Sequence, residues 1–314
     1  MRVAEKREGS SQGAGSMDDT PLMRELTRDH ARRRQLEEVE FTSPEHTRIV
    51  TIANQKGGVG KTSTTVNLAA ALTMGGLHVL VIDADPQGNT STALNIEHHA
   101  EVPSMYEVLV ESAPLSEVVQ DVPDMERLQC APATINLSGA EIELVSLVAR
   151  ENRLRNAIRE HLEEREAQGL PRLDYVLVDC PPSLGLLTVN ALVAAREVMI
   201  PIQAEYYALE GLTLLLNNID LIRQHLNPDL VVSTILLTMY DGRTRLSAQV
   251  AQEVREHFPE QVLSSTVPRS VRVSEAPSHG QTVITYDPQS TGARSYTDAA
   301  TEIARRGAEQ KDNA

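Results

Sequence analysis

The sequence predicts an α/β protein with a doubly wound, mostly parallel sheet and helices on both of its faces. Two observations lead to this fold class. From Arg48 onward, strand-like segments alternate with helix-like segments. The strand-like segments are also apolar almost without interruption, as strands covered by helices on both faces are. In such a sheet the ligand site lies at the carboxyl ends of the strands.

Each predicted strand is a short aliphatic run, and each predicted helix has apolar residues at helical spacing. The strands are expected at 49–53, 78–85, 175–182, 197–203 and 231–240. The helices that separate them are expected at 61–74, 139–166, 186–195, 205–225 and 244–257. Each helix thus returns the chain so that the next strand can run parallel to the previous one.

The two ends of the chain differ in composition from the rest. Residues 8–16 are rich in glycine and serine, which is typical of disorder, and a thin apolar stripe follows them. We predict a disordered or partly helical N-terminal tail at 1–47, one domain at 48–308, and a disordered C-terminus at 309–314.

Composition narrows the function classes. The formal net charge of −15 argues by itself against a nucleic-acid partner. Aromatic residues make up only 3% of the chain, which is too few for a base-stacking platform. Two cysteines cannot form a disulfide framework. No apolar run resembles a signal peptide or is long enough to span a membrane. These observations predict a cytoplasmic protein without a membrane partner.

The loop after the first strand reads QKGGVGKTS and resembles a phosphate-binding loop, G-x-x-x-x-G-K-[ST]. Gly60, Lys61 and Thr62 supply the end of the pattern. Gln55 stands where the first glycine belongs, and a second lysine, Lys56, follows it. Glycines let backbone amides approach a phosphate chain, and the next helix adds its positive end. Lys61 is expected to contact the β- and γ-phosphates, and the Thr62 hydroxyl to ligate Mg²⁺.

Three aspartates follow predicted strands at the same edge of the sheet. Asp83 and Asp85 end the second strand, and Asp179 ends the third. Asp179 is at the strand-end position where an acidic residue is expected to hold the water shell of a metal ion. A capping or turn role is the alternative for each aspartate alone, but their position beside a glycine-rich loop favours nucleotide chemistry.

The order of these motifs resembles the ParA family of ATPases with a deviant Walker A loop, which partition chromosomes and plasmids. KGGVGKT, DADPQGN, VDCPPSLG, EYYALEG, LLTMYDGRTRLS and VPRSVRVSEAPSHGQTVITYDP carry the resemblance, which covers about residues 48–307. It implies a P-loop NTPase-like fold, ATP and Mg²⁺ as cofactors, and weak intrinsic ATPase activity. It also implies a homodimer when ATP is bound, non-specific binding to double-stranded DNA, a ParB-type centromere-binding partner, and association with the nucleoid.

The resemblance also assigns roles to residues. Lys56 reaches the nucleotide of the other subunit, as an arginine finger does, and acts with Lys61 in catalysis; a solvated loop lysine is the alternative. Asp85 positions the attacking water, and Pro181 and Pro182, after Asp179, match the segment that senses the γ-phosphate. The residues expected to bind nucleotide are Lys56, Gly57, Gly58, Val59, Gly60, Lys61, Thr62, Ser63 and Pro182. The expected metal residues are Thr62, Asp83 and Asp179, with a strand-end role as the alternative for Asp83.

Four arginines are the predicted DNA contacts, despite the acidic total, because affinity depends on the local potential. They lie in two short segments, DGRTRLS and VPRSVRVS, as Arg243, Arg245, Arg269 and Arg272. Arg243 and Arg272 match DNA-contacting arginines of the family. Salt bridges with the abundant acidic residues are the alternative.

Two related classes are disfavoured. A MinD-like membrane ATPase would need a C-terminal amphipathic helix with large apolar residues, and TDAATEIARRGAEQKDNA contains a single isoleucine. An iron–sulfur reductase with a similar loop would need a cysteine pair that bridges two subunits. Cys130 and Cys180 are expected to be buried structural cysteines instead.

Overall fold

The strands and helices come from a computed structural model, which describes residues 40–206 and 208–309. The strands are β1 (Arg48–Ile52), β2 (Val79–Asp83), β3 (Gln120–Asp121), β4 (Leu128–Ala131), β5 (Tyr175–Asp179), β6 (Glu197–Gln203), β7 (Val231–Tyr240) and β8 (Val262–Pro268). The α-helices are α1 (Lys61–Met74), α2 (Asn89–Ala93), α3 (Leu137–Glu143), α4 (Arg153–Ala167), α5 (Leu186–Ala194), α6 (Ala208–His225), α7 (Arg245–His257), α8 (Val271–Glu275), α9 (Val283–Tyr286) and α10 (Thr291–Glu309).

Within the described residues these strands form one sheet in the order β3-β4-β2-β5-β1-β6-β7-β8. Every neighbouring pair is parallel except β3 and β4, which are antiparallel. The predicted fold class is therefore confirmed. The order places β1 in the interior of the sheet, directly beside β5, with β2 on the other side of β5. The carboxyl ends of these three strands are neighbours, so whatever follows them is brought together.

Alternate residues of the central strands enter different layers of the core. Val79 and Val81 of β2 pack with helices α1 and α10 on one face of the sheet. Leu80 and Ile82 of the same strand pack with α3, α4 and α5 on the other face. Helices α6 and α7 cover β6 and β7 on that second face. Burial on both faces explains why these strands are uninterrupted apolar runs.

One predicted helix is wrong in its middle. The stretch at 139–166 is two helices, because α3 ends at Glu143 and α4 begins only at Arg153. Ala149, between them, has a left-handed backbone with φ of +51°. A left-handed residue cannot continue a right-handed α-helix. The sequence analysis also missed β3, β4 and β8.

The folded domain begins before Arg48. Phe41 donates its backbone N–H to Gly75 (2.9 Å), and its ring packs against the core. The Thr47 hydroxyl donates to the carbonyl of Leu173 (2.6 Å). Most of the predicted tail, and the predicted disordered end beyond Glu309, lie outside the described residues. Among the helices that the structure describes, none has both the length and the hydropathy to cross a membrane.

Candidate functional site

The glycine-rich loop joins β1 to α1 in an open conformation. Gly58 and Gly60 have φ of +75° and +87°, where only glycine is relaxed. Gly60 precedes the helix, and no side chain caps the N–H groups of its first turn. These N–H groups have no intrahelical acceptors, and together with the helix dipole they form an anion site. The loop therefore has the geometry of a phosphate-binding loop.

Two contacts hold this loop against the neighbouring strands. Asn54 donates from Nδ2 to the carbonyl of Pro201 in β6 (2.7 Å), and its Oδ1 accepts from the Lys56 N–H (3.0 Å). The Thr238 hydroxyl in β7 donates to the carbonyl of Val59 (2.8 Å). The sequence analysis assigned no role to Asn54 or Thr238, and both position the loop.

The two lysines of the loop have different surroundings. Lys61 is buried, and its Nζ lies 3.4 Å from the carbonyl of Lys56. Burial lowers the pKa of Lys61, while Asp179 and other nearby acidic groups oppose that shift. Lys56 is exposed and forms an ion pair with Glu205, which lies between β6 and α6. In a single chain, therefore, Lys61 points into the site and Lys56 is held outside it by an acidic residue.

Asp179 is the centre of a buried hydroxyl cluster at the carboxyl end of β5. Its Oδ2 accepts from the hydroxyls of Thr62 and Thr90, each at 2.7 Å. Its Oδ1 accepts from the Thr65 hydroxyl (3.3 Å). Burial raises the pKa of Asp179 to about 6, although the hydrogen bonds from Thr62 and Thr90 and the charge of Lys61 favour the carboxylate. Thr90 follows the DADPQGN motif and was not predicted.

Asp83 lies beside Asp179 in the sheet but has different partners. Its Oδ2 accepts from the N–H (2.9 Å) and hydroxyl (2.7 Å) of Ser91, and its Oδ1 accepts from the N–H of Asp85 (3.2 Å). Burial and the neighbouring Asp179 raise the pKa of Asp83 to about 8. The structure thus brings Thr62 to Asp179, while the hydrogen bonds of Asp83 go to Ser91 and Asp85.

The other predicted residues surround this centre. Asp85 is buried, and its Oδ1 accepts from the N–H of Gln87 (3.0 Å). The carbonyl of Ser63 accepts from Asn67 within α1 (2.7 Å), and Pro182 is exposed in the loop after β5. Gly57 is exposed at the tip of the loop, whereas Val59 is buried beneath it. All of them lie at the same edge of the sheet as Asp179.

The donor set suits a hard cation that keeps several water molecules. No group of three or more His, Cys, Asp or Glu side chains forms a metal cage among the residues described. A hydroxyl and a carboxylate, Thr62 and Asp179, instead lie 2.7 Å apart beside the phosphate-binding loop. Mg²⁺ is usually held in this way, by one or two protein oxygens together with phosphates and water. Cys130 and Cys180 are both buried, as expected.

The predicted DNA-contacting arginines follow two neighbouring strands, β7 and β8, whose last residues Tyr240 and Pro268 are paired. All four are exposed. Arg243, with 90% of its side chain exposed, pairs with Asp241 (2.8 Å). The pKa of Asp241 is lowered to about 2, chiefly by its hydrogen bonds to Arg243, with a smaller contribution from Arg269.

Arg272 has two acidic partners and an aromatic one. Its guanidinium lies 3.2 Å from Glu275 and 3.4 Å from Asp287, and 6.0 Å from the centre of the Tyr286 ring. The structure therefore brings the two arginine segments to one edge of the sheet. It also gives Arg243 and Arg272 the acidic partners that the sequence analysis named as the alternative.

Comparisons with known proteins agree with this geometry. The family model described as "AAA domain" matches residues 47–232. The sporulation initiation inhibitor protein Soj of Bacillus subtilis is 50% identical over 260 residues, which are 83% of this chain and 99% of Soj. The chromosome partitioning protein ParA of Myxococcus xanthus is 48% identical over 259 residues, 82% of this chain and 88% of that protein.

A similar solved structure is that of cobyrinic acid a,c-diamide synthase from Mycobacterium smegmatis, which contains an ATP analogue and magnesium. It is 35% identical to this chain with a TM-score of 0.69, and the match covers 83% of this chain and 95% of that one.

Proposed function

The chain belongs to the Soj/ParA family of chromosome-partitioning ATPases, and from that premise we propose that it hydrolyses ATP to control a DNA-binding dimer. One arrangement carries the proposal: the uncapped N-terminus of α1, the buried Lys61 and the Thr62–Asp179 contact lie together at the carboxyl edge of the sheet. This combination provides amides, a cation and oxygen ligands for a metal-bound triphosphate.

ATP and Mg²⁺ fit these residues. The N–H groups of the loop and of the first turn of α1 bind the phosphate chain, and Lys61 neutralises its β- and γ-phosphates. The Thr62 hydroxyl would ligate Mg²⁺ and Asp179 would hold the ion's water shell, and the ion would neutralise charge on the phosphates. Asp83 supports this site without ligating the metal, because its carboxyl group is engaged by Ser91.

Asp85 is the group that positions the attacking water. Its Oδ1 accepts from Gln87, which leaves Oδ2 without a hydrogen bond among the described residues. Asp85 also contributes electrostatically to the pKa of Lys61, so it lies near the lysine that binds the phosphates. A carboxylate in this position orients a water molecule and accepts its proton as the oxygen attacks the γ-phosphorus. The bond from that phosphorus to the β–γ bridging oxygen breaks, and ADP is the leaving group.

Lys56 makes hydrolysis and dimerisation depend on each other. In the dimer it leaves Glu205 and binds the phosphates held by the partner subunit, where it neutralises charge on both nucleotides. A single chain lacks this second lysine at its own nucleotide, so its intrinsic ATPase activity is weak. Pro182 is exposed in the loop after β5, which leaves it accessible for the proposed contact with the γ-phosphate in the dimer.

The arginines at the ends of β7 and β8 bind DNA phosphates in the dimer. Phosphate contacts position a protein on DNA without reading its sequence. Because a dimer presents each arginine twice, dimerisation by ATP raises the number of contacts and therefore the affinity. A ParB-type centromere-binding partner stimulates hydrolysis, after which the dimer separates and leaves the nucleoid DNA.

DNA binding in three nucleotide states tests the proposal. Fluorescence anisotropy with unrelated duplexes should show tight binding with Mg²⁺ and adenosine 5′-O-(3-thiotriphosphate), and weak binding with ADP or no nucleotide. Lys61→Ala is the control that should lose this dependence, because it removes the phosphate-binding cation. Equal binding in all three states would contradict the proposed switch.

A further inference from the structure

A cavity of about 620 Å³ lies at the amino edge of the sheet, where the parallel strands begin, and thus opposite the nucleotide site. Helix α4, the loop that follows it, the beginning of β1 and the end of α5 form its walls, and Ile49, Leu162, Leu173 and Ala194 give it an apolar lining. Small-molecule sites typically have roughly 300–1,000 Å³ and a mostly apolar lining with a few polar groups. None of the residues assigned to ATP, Mg²⁺ or DNA lines this cavity, so the proposed function leaves it without a role.

Arg155, on the α4 wall of the cavity, has neutral partners. Its Nε donates to the carbonyl of Val193 in the last turn of α5 (2.9 Å), and a terminal nitrogen donates to the carbonyl of Leu226 (3.3 Å). A guanidinium group has five N–H donors. Arg155 therefore keeps donors for a further acceptor, and it forms no ion pair with a carboxylate in the part of the chain that the structure describes.

Arg165, also on α4, carries a partly buried charge. Its terminal nitrogens donate to the side chain of Gln129 (3.0 Å) and to the carbonyl of Pro171 (2.9 Å), and its Nε is buried without a partner among the described residues. Burial lowers the pKa of Arg165, and the charge of Asp121 opposes that shift. A buried charge is costly unless it is paired. An anion in the cavity would supply the pairing that this arginine lacks.

The other charged groups of the lining leave the cavity positive. Arg159 pairs with Glu163 (2.9 Å), and Arg172 lies 3.4 Å from Asp174. Glu166 is the second glutamate of the lining. Four arginines and two glutamates thus line the cavity, a surplus of two positive charges in a chain whose formal net charge is −15. The local potential of a cleft, and not the total charge, decides which ligands it attracts.

We propose that this cavity binds a small organic anion, in which a carboxylate or phosphate group is joined to an apolar body. The anionic group accepts hydrogen bonds from Arg155 and Arg165, because arginine is the side chain best suited to carboxylates and phosphates. The apolar body packs on Ile49, Leu162 and Leu173. A neutral apolar ligand would leave the guanidinium groups unpaired, and an inorganic anion would leave the apolar lining uncovered.

Binding of 8-anilinonaphthalene-1-sulfonate, an anion with an apolar aromatic body, tests the site. The full chain would be titrated in the presence of Mg²⁺ and ADP, so that the dye does not enter the nucleotide site. We expect Arg155→Gln to raise the dissociation constant of the dye roughly 10- to 100-fold, which is the effect of losing one hydrogen bond to a charged group. Leu170→Glu should also weaken binding, because it adds a carboxylate to the lining.

Two matched variants control for general effects of the substitutions. Arg255→Gln and Leu214→Glu change exposed residues of α7 and α6 that do not line the cavity, and both should bind the dye as the parent does. Circular dichroism would establish that each variant is folded. Because the side chain of Leu170 is 45% exposed, Leu170→Glu keeps the test decisive if Arg155→Gln does not fold.

Competitors that share one alkyl chain test the chemistry of the ligand. Decanoate and decyl phosphate should displace the dye, and the one that acts at the lower concentration identifies the preferred anionic group. Decanol, which lacks the charge, and inorganic phosphate, which lacks the apolar body, should displace it poorly. Equal displacement by decanol and decanoate would overturn the assignment to an anion. Unchanged dye affinity in the folded Arg155→Gln and Leu170→Glu variants would overturn the site itself.

Discussion

Glu205→Gln should strengthen the ATP-dependent dimer. In the single chain Glu205 forms an ion pair with Lys56, the lysine proposed to act on the nucleotide of the other subunit. Dimerisation must break this pair in both subunits. A glutamine of the same shape removes the charge of Glu205, so the lysine is released at lower cost.

The size of the effect follows from exposure. The side chains of Lys56 and Glu205 are 45% and 32% exposed, so solvent screens the pair, and such pairs contribute up to about 1 kcal/mol. A dimer breaks two of them, which at roughly 0.2–1 kcal/mol each gives roughly 0.4–2 kcal/mol. We therefore expect the dimer dissociation constant to fall roughly 2- to 30-fold.

Sedimentation over a range of protein concentrations, with Mg²⁺ and the slowly hydrolysed analogue, measures this constant. Glu210→Gln is the matched control, because Glu210 is exposed in the first turn of α6 and forms no ion pair with described residues. The effect should also vanish in a Lys56→Ala background, since coupling requires both partners.

An unchanged or weakened Glu205→Gln dimer would refute the reasoning. It would mean either that Lys56 keeps its place beside Glu205 in the dimer or that Lys56 does not act across subunits. Lys56→Ala separates these cases: loss of the dimer with retained nucleotide binding supports the role across subunits, and a normal dimer makes Lys56 an ordinary loop residue.

Four further predictions concern three features of the site and one buried histidine of α4. Asp85→Ala should dimerise with ATP but lose at least about 100-fold in hydrolysis rate, because no group orients the water. Arg243→Ala and Arg272→Ala should each lower the slope of log K against log salt for DNA by roughly 1.8 per dimer. Thr90→Val should reduce the free energy of unfolding by roughly 1–3 kcal/mol, because buried Asp179 loses a hydrogen bond. Burial lowers the pKa of His161, so below about pH 6.5 the unfolded chain binds a proton there more readily than the folded chain does. The free energy of unfolding should therefore decrease as the pH falls below about 6.5.

Each of these has a contradicting result. Normal turnover of Asp85→Ala would remove its catalytic role, and an unchanged salt slope in an ATP-dimerising double arginine variant would place the DNA contact elsewhere. Thr90→Ser should restore stability that Thr90→Val loses; equal unfolding curves for all three chains would exclude the contact with Asp179. Replacing His161 by leucine should reduce the decrease in the free energy of unfolding as the pH falls below about 6.5. An identical pH dependence in the leucine variant would exclude this histidine as its source.

The sequence predicted the parts of the site that lie close together in the chain. The loop from Lys56 to Thr62 and the strand-end aspartates were visible because a few residues define each motif. The partners of Asn54 and Thr238 were not visible, because their contacts join positions far apart in the chain. Only the fold decides which strand lies beside the loop.

Side-chain direction was the second thing that sequence could not supply. Asp83 and Asp179 end neighbouring strands and look equivalent, yet one carboxyl group binds Ser91 and the other binds Thr62. The helix expected at 139–166 failed for a related reason. Helical spacing continues through the region of Ala149, and the left-handed residue that interrupts it has no glycine or proline to mark it.

The acidic partners of the arginines have a consequence for how DNA would be held. Arg243 already binds the carboxylate of Asp241, and Arg272 lies between Glu275 and Asp287. Each carboxylate occupies its arginine as a DNA phosphate would, so the free protein carries its own competitors for the nucleic acid. Binding then exchanges one anion for another, and the net gain per contact is small. Contacts made by such exchanges are readily reversible, which suits the proposed release of DNA after ATP hydrolysis.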